Sequence, residues 1–292
     1  MTRSGFVALA GRPNVGKSTL VNRVVGEKVA IVSDRPQTTR RAVRGIATAE
    51  SWQLVLVDLP GTQRPRDVLT ERMQQRVQKQ LADSDAALLV LDGRQRVGPG
   101  DRFTARAIAA AGVPAVIAVN KIDVLGRGDT AAALASTAEL GLDAEVFPIS
   151  ARDGTGVDPL LAELTGLLPE GPFLYPAAAA SDQPESVRLA ELIREQVLSR
   201  TREELPHAVE VEIEGVERRD DLLRIEALLW AETESQKGIL IGAGGRMVKA
   251  IGSAARHEIE ALDGAQVHLD LRVRVRRDWR RDDALLDRLG IE

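Results

Sequence analysis

Short apolar runs alternate with amphipathic stretches through about residue 168 of this 292-residue chain. Phe6-Val7-Ala8-Leu9-Ala10, Leu54-Val55-Leu56-Val57, Ala86-Ala87-Leu88-Leu89-Val90-Leu91, Ala115-Val116-Ile117-Ala118-Val119 and Glu145-Val146-Phe147-Pro148-Ile149 read as strands. Near-continuous apolar strands separated by helices predict an α/β unit, a mostly parallel sheet covered on both faces. Helices are expected near 19–25, 67–82, 101–112, 129–140 and 156–168. The texture then changes. Residues 169–184 hold four of the thirteen prolines and an alanine run, the composition of a linker. Beyond it come a helix (185–203), two strands (208–214 and 222–234), two helices around a glycine loop and a strand (266–276), an α+β order. The expected organisation is a domain at 1–168, a linker at 169–184 and a smaller domain at 185–292.

Composition narrows the chemistry. With no cysteine, disulfides, zinc-thiolate sites and thiol nucleophiles are excluded. No basic-then-apolar leader opens the chain, and no apolar run approaches the length of a membrane span, so a cytoplasmic location is expected. A net charge of −4 argues against a protein that coats nucleic acid generally. The charge is unevenly spread: residues 203–234 hold eleven acids against three bases, and residues 237–281 ten bases against five acids. One side of the second domain is thus acidic and the other a candidate phosphate binder.

The octapeptide Gly11-Arg12-Pro13-Asn14-Val15-Gly16-Lys17-Ser18 spells G-x-x-x-x-G-K-S between the first strand and the helix starting at Thr19. Glycines let backbone N–H groups curl around a diphosphate, and the helix N-terminus adds its positive end. Lys17 can reach the β/γ-phosphates, taken to be exposed before they bind, and the Ser18 hydroxyl can ligate Mg²⁺. Gly11, Asn14, Val15, Gly16, Lys17, Ser18 and Thr19 are therefore the candidate phosphate binders. The plain alternative is a glycine-rich turn.

A phosphate loop does not name the base, but Asn120-Lys121-Ile122-Asp123 after an apolar strand does. The Asp123 carboxylate can accept from the N1 and N2 protons of guanine, a donor pair adenine lacks, while Asn120 and Lys121 shape and cover the pocket. Asp123 as a mere helix cap is the competing reading. Asp58-Leu59-Pro60-Gly61 closes another strand; its aspartate can hold the Mg²⁺ sphere through water and the Gly61 N–H can meet the γ-phosphate. Ser150-Ala151 would complete the base pocket through its backbone. Arg35-Pro36-Gln37-Thr38-Thr39-Arg40 is a polar, proline-interrupted loop of the kind ordered by γ-phosphate and Mg²⁺. Either threonine could supply the metal hydroxyl; Thr39 is chosen, and a plain surface loop is the alternative. The candidate catalytic set is Lys17, Thr39, Asp58 and Gly61, with Ser18, Thr39 and Asp58 around Mg²⁺.

In the second domain, Gly242-Ala243-Gly244-Gly245 supplies a G-x-x-G between two apolar helical stretches. In an α-β-β-α-α-β order this is what a KH domain requires, where the loop clamps the backbone of single-stranded nucleotides. Its middle residues carry no charge, so phosphate contacts fall to backbone N–H groups, with Arg246 and Lys249 just inside the next helix. In the last strand, arginines alternate with apolar residues. Arg272 and Arg274 read equally as RNA contacts or as partners of Glu210, Glu212 and Glu214 in a solvated ladder. The tail reads as an RNA contact: Trp279 offers a stacking face beside Arg280 and Arg281.

The order G-x-P-N-V-G-K-S, P-Q-T-T-R, D-x-P-G, N-K-x-D and S-A resembles the translation-factor-related class of GTPases, with a Ras-like P-loop domain. The linker Leu168-Pro169-Glu170-Gly171-Pro172, then Ala190-Glu191-Leu192-Ile193-Arg194-Glu195 and Glu204-Leu205-Pro206, is similar to the Era-type members, which carry a C-terminal type II KH domain. The resemblance covers essentially the whole chain. It implies a GTP/GDP-dependent, Mg²⁺-dependent switch that binds the 3′ end of 16S rRNA, assists 30S subunit assembly and touches the inner membrane face peripherally; the chain is expected to be monomeric. Asn14 resembles the asparagine with which related GTPases coordinate K⁺ beside the phosphates. Two departures stand out. Thr62 follows Gly61 where Ras-like enzymes carry a water-orienting glutamine and Era-type ones an apolar residue, and Gln63 is one step late. Leu59 stands where Era-type proteins have threonine. Slow intrinsic hydrolysis is expected, and the alternative function is an RNA-binding module whose first domain holds nucleotide with negligible hydrolysis.

Overall fold

The structure, a computed structural model, describes residues 1–33, 35, 38–62, 67–201 and 205–291. Residues up to 182 form one unit; residues from 183, together with 67–69, form the second.

The first unit is a six-stranded sheet between helices. Strands β1 (Arg3–Ala10), β3 (Trp52–Asp58), β4 (Ala86–Asp92), β5 (Ala115–Asn120) and β6 (Ala144–Pro148) run parallel, and β2 (Val43–Thr48) joins antiparallel at the edge, in the order β2-β3-β1-β4-β5-β6. All seven residues of β4 are buried, which is why the strand carries no polar alternation. Helices α1 (Lys17–Val25), α2 (Val68–Ala82), α3 (Pro99–Ala111), α4 (Arg127–Ser136) and α5 (Val157–Gly166) match the expected helices. Strand β2 is an addition to the expected set. Its Gly45 has no Cβ because one would lie 2.5 Å from Val21 Cγ1 of α1, so the strand trades apolar content for close packing.

The proline-rich segment is docked rather than free. Gln53, fully buried on β3, donates to Tyr175 O at 2.9 Å and accepts from Leu174 N and Tyr175 N, both at 2.8 Å. Arg44 of β2 reaches Asp182 at 2.7 Å, and Ile46 N donates to Ala180 O at 2.8 Å. A strap without side-chain regularity satisfies its backbone against a buried amide, as a covered segment must.

The second unit has α6 (Glu185–Arg200), a one-turn α7 (Leu205–Ala208), β7 (Glu210–Arg219), β8 (Leu222–Ala231), α8 (Glu234–Ile241), α9 (Arg246–Asp263), β9 (Gln266–Val275) and α10 (Asp283–Arg288). The sheet order is β7-β8-β9, antiparallel then parallel, the topology of a type II KH fold. Ile251, Ala255 and Ile259 recur every four residues on α9 and bury one stripe against the sheet. Thr233 and Gln236 cap α8 reciprocally, each side chain reaching the other's backbone N–H at 3.2 Å.

Candidate nucleotide site and nucleic-acid interface

The phosphate loop turns at Gly11 and Gly16, whose φ angles of 156° and 103° suit glycine. At Gly16 a Cβ would stand 2.2 Å from Asn120 Nδ2, so the turn also needs the space. Asn120, buried at the end of β5, clamps two loops: its Nδ2 donates to Val15 O at 2.8 Å and its Oδ1 accepts from Ala151 N at 2.9 Å. Asp123 follows in a short helical turn and lines a cavity of about 290 Å³ with Gly16, Thr19, Arg94, Lys121 and Ala151. Ser150 is fully buried and accepts from Asp153 N at 3.3 Å.

A second cavity is lined by Asn14, Gly16, Lys17, Ser18, Thr19, Thr39, Gly61 and Lys121. Ser18 Oγ donates to Asp58 Oδ2 at 2.6 Å, Thr39 Oγ1 reaches the same oxygen at 3.2 Å, and the two hydroxyls are 3.3 Å apart. Thr38 instead donates to Arg35 O at 2.6 Å, so Thr39 is the threonine that faces the aspartate. Pro36 and Gln37 of that loop lie outside the described residues, as does Gln63. Asp58 is fully buried, and its Oδ1 has no hydrogen-bond partner among the described residues. Two hydroxyls and one under-used carboxylate suit Mg²⁺, a hard cation that takes few protein ligands and fills its sphere with phosphate and water oxygens.

Lys17 departs from expectation. It is buried, donating to Gly11 O and Arg12 O at 3.1 Å each, because the loop carbonyls solvate the ammonium. Burial pulls its pKa down against the attraction of Asp58, and burial pushes Asp58 up against Lys17 and the two hydroxyls. Gly61 packs on the phosphate loop, where a Cβ would lie 2.7 Å from Pro13 Cγ. Thr62 is buried, sharing a hydroxyl hydrogen bond with Thr104 of α3 and donating its N–H to Gly11 O at 3.2 Å. Its side chain is thereby committed to the core.

In the second unit, Gly242 takes φ 70° and ψ 170°, a region reserved for glycine, and a Cβ there would meet Met247 Cβ at 2.8 Å. Gly244 and Gly245 are left-handed at φ 60° and 78°; Ala243 and Lys249 are exposed, and exposed Arg246 donates to Ala243 O at 3.2 Å. Beside the loop, Lys249, Gly252, Ser253, Arg256, His268 and Leu271 line a groove of about 420 Å³ between α9 and β9. Ser253, Arg256 and His268 carry no motif of their own in the sequence; the polar face of α9 opposite its apolar stripe is the signal that points to Ser253 and Arg256, and the polar alternation of β9 the one that points to His268.

Trp279 corrects the reading of the tail. It is fully buried and its Nε1 donates to Ala208 O at 2.9 Å, so it is a core residue and offers no stacking face. Arg280 pairs with Asp67 and is mostly covered, whereas Arg281 is exposed. Arg272 follows the ladder alternative, pairing with Glu214 at 2.9 Å across β8, which lies between β7 and β9. Glu212 is taken by Trp230 Nε1 at 2.7 Å and Arg288 at 2.8 Å, and buried Glu210 lies 4.0 Å from Arg194. Arg274 is exposed.

These features define a P-loop nucleotide-binding unit joined to a KH unit, and comparison agrees. A family described as "50S ribosome-binding GTPase" matches residues 6–121, and the KH domain family matches residues 204–280. GTPase Era of Mycobacterium sp. (strain KMS) is 47% identical over 294 residues, covering 99% of this chain and 98% of the relative. That of Mycobacterium tuberculosis (strain ATCC 25177 / H37Ra) is 47% identical, covering 98% of each chain. Among solved structures, an Aquifex aeolicus Era variant bound to GDP and aluminium fluoride has a TM-score of 0.95 at 33% identity, over 99% of both chains. Era bound to MgGDPNP and nucleotides 1506–1542 of 16S ribosomal RNA also has a TM-score of 0.95, at 34% identity over 100% of this chain and 99% of that one. The chain belongs to the Era family of GTPases. It binds GTP and GDP, and no helix among the described residues is long and apolar enough to cross a membrane.

Proposed function

We propose that the chain is a slow GTP-hydrolysing switch whose nucleotide state governs binding of the 3′ end of small-subunit ribosomal RNA, in the service of assembling that subunit. The observation that carries the nucleotide half is the Asn120 clamp, which fixes the phosphate loop and the Ser150-Ala151 loop around one side chain. Asp123 reads guanine by accepting from N1 and N2, with the Ala151 backbone closing the pocket. Backbone N–H groups from Gly11 to Thr19 cradle the phosphates, and Lys17 exchanges the carbonyls of Gly11 and Arg12 for the β/γ-phosphates. Ser18, Thr39 and Asp58 hold Mg²⁺, which when bound neutralises charge on the β- and γ-phosphate oxygens. Gly61 approaches the γ-phosphate through its N–H. Because the Thr62 hydroxyl is engaged by Thr104, no side chain at that position orients the attacking water, and this supports a slow intrinsic rate. Asn14 is proposed to hold K⁺ beside the phosphates; equal hydrolysis in K⁺ and Na⁺ would end that idea.

The RNA half rests on the glycine loop and the groove beside it. Gly242, Ala243, Gly244 and Gly245 clamp the backbone, Arg246, Lys249 and Arg281 add charge, and the solved relative with 16S rRNA nucleotides 1506–1542 supports the RNA class. Proposed domain limits are 1–168 and 185–292, and peripheral membrane contact rests on family resemblance alone. GTP hydrolysis measured with and without a short 3′-terminal rRNA fragment tests the whole reading. Turnover that responds to the fragment and not to a scrambled RNA is expected; an indifferent rate would separate the two halves.

A further inference from the structure

We infer that Asp92 is a positioning residue for nucleotide binding, gripping Lys121 so that one ammonium ties the base loop to the phosphate loop. The inference rests on the guanine-nucleotide reading above. Asp92 closes β4 in register with Asn120 and is 3% exposed. Its Oδ2 accepts from Lys121 Nζ at 2.8 Å and from an Arg94 terminal nitrogen at 2.7 Å; its Oδ1 accepts from Arg94 Nε at 2.9 Å and Arg94 N at 3.1 Å. The same lysine ammonium donates to Asn14 O at 2.5 Å.

Two features make this more than a surface ion pair. Lys121 has left-handed backbone at φ 71°, which a lysine adopts at a cost and keeps only when its surroundings impose it, and Asn14 is left-handed too at φ 63°, a conformation asparagine tolerates. The ammonium joins those two left-handed turns. Lys121 is also the residue that, with Gly16 and Thr19, lines both the base cavity and the phosphate cavity. Without a carboxylate beneath it, an ammonium held by one neutral carbonyl would relax toward water. Burial pushes the Asp92 carboxyl up, yet hydrogen bonds from Arg94 and Lys121 outweigh it and set its pKa at about 2, so the charge is present throughout the neutral range. Arg94, forked onto the same carboxylate, fixes the orientation in which Oδ2 faces Lys121.

Asp92→Asn preserves shape, removes the charge and turns one acceptor into a donor facing cations. With a fluorescent GDP analogue and full-length protein, the Kd for GDP and for GTP should rise together by roughly tenfold, chiefly through faster dissociation. At saturating GTP, kcat should be unchanged, so that KM moves and kcat does not. A double-mutant cycle with Lys121→Met separates positioning from folding: in that background Asp92→Asn should have no further effect on Kd. An equal loss in both backgrounds, or a Kd unchanged by Asp92→Asn while the unsubstituted chain binds GDP tightly, overturns the inference alone. An unsubstituted chain that binds no GDP overturns the guanine-nucleotide reading as well. If Asp92→Asn does not fold, Asp92→Ser, smaller and neutral, carries the same cycle.

Discussion

At the scale of single residues, Lys17 shows how function can stand against stability. Its ammonium sits on loop carbonyls in a buried site, and folding lowers its pKa. A base with a lowered folded pKa costs stability while protonated, and the cost fades only as pH climbs toward the unfolded value. At neutral pH, Lys17→Ala should therefore leave the melting temperature of the nucleotide-free protein equal or higher while weakening GTP binding by roughly a hundredfold. A melting temperature several degrees lower would mean the lysine supports the loop rather than the phosphates. Asp123→Asn should cut GTP affinity and relax base choice, because an amide cannot accept from both guanine protons; competition among GTP, XTP and ATP measures it. Both residues are legible in the sequence because a nucleotide imposes fixed atoms on contiguous chain. Thr62 is legible as a departure, though its hydroxyl partner Thr104, forty-two positions on, is not. Asp92 escapes a sequence reading for the same reason: an aspartate at a strand end has no pattern until Lys121 folds onto it.

At the scale of elements, apolar runs locate all five parallel strands; in β4 burial on both faces leaves no room for polar residues, while edge strand β6, only partly buried, still shows as Val146-Phe147 beside an exposed Glu145. Strand β2 escapes notice as an edge strand whose Gly45 and Arg44 break the run, and α10 as a helix of six residues. The glycine loop and the tail differ in the same way. Glycines at special φ angles announce themselves, whereas a tryptophan near basic residues reads alike whether it faces RNA or core. The structure decides for core, and that sets a contrast. Trp279→Ala should cost about 3–5 kcal/mol of stability in the second unit, seen as an earlier unfolding transition. Gly244→Asp should not: the position is left-handed, which aspartate tolerates, and no atom lies within 4 Å of where its Cβ would stand. It should instead remove RNA binding by setting a carboxylate where a phosphate belongs, with GTP binding retained. Wild-type RNA affinity in Gly244→Asp would show that the loop is not the clamp.

At the scale of the whole molecule, a chain of net charge −4 can bind RNA only by segregating its charge, and the second unit does so. Part of the expected basic surface is spent on ion pairs within the unit: Arg272 holds Glu214 at 2.9 Å, and Arg276 holds Asp282. What stays exposed is Arg246, Lys249 and Arg256 along α9, with Arg274, Arg277 and Arg281 at the end of β9 and beyond. The unit has its own core, from Leu189 to Val267, and its own three-stranded sheet. Residues 185–292 expressed alone should therefore fold and bind single-stranded RNA, since the glycine loop, the groove and these cations all lie within them. Binding should weaken steeply with salt, and removing one phosphate-binding cation should flatten the logarithmic slope by about 0.7. Arg281→Ala should produce such a step in the fragment; in the full-length protein, where Arg280 is mostly covered and paired with Asp67, Arg280→Ala should produce less. Equal slopes for the unsubstituted fragment and Arg281→Ala would remove the tail from the RNA surface. A folded fragment that binds no RNA at all would show that recognition needs the nucleotide-binding half as well.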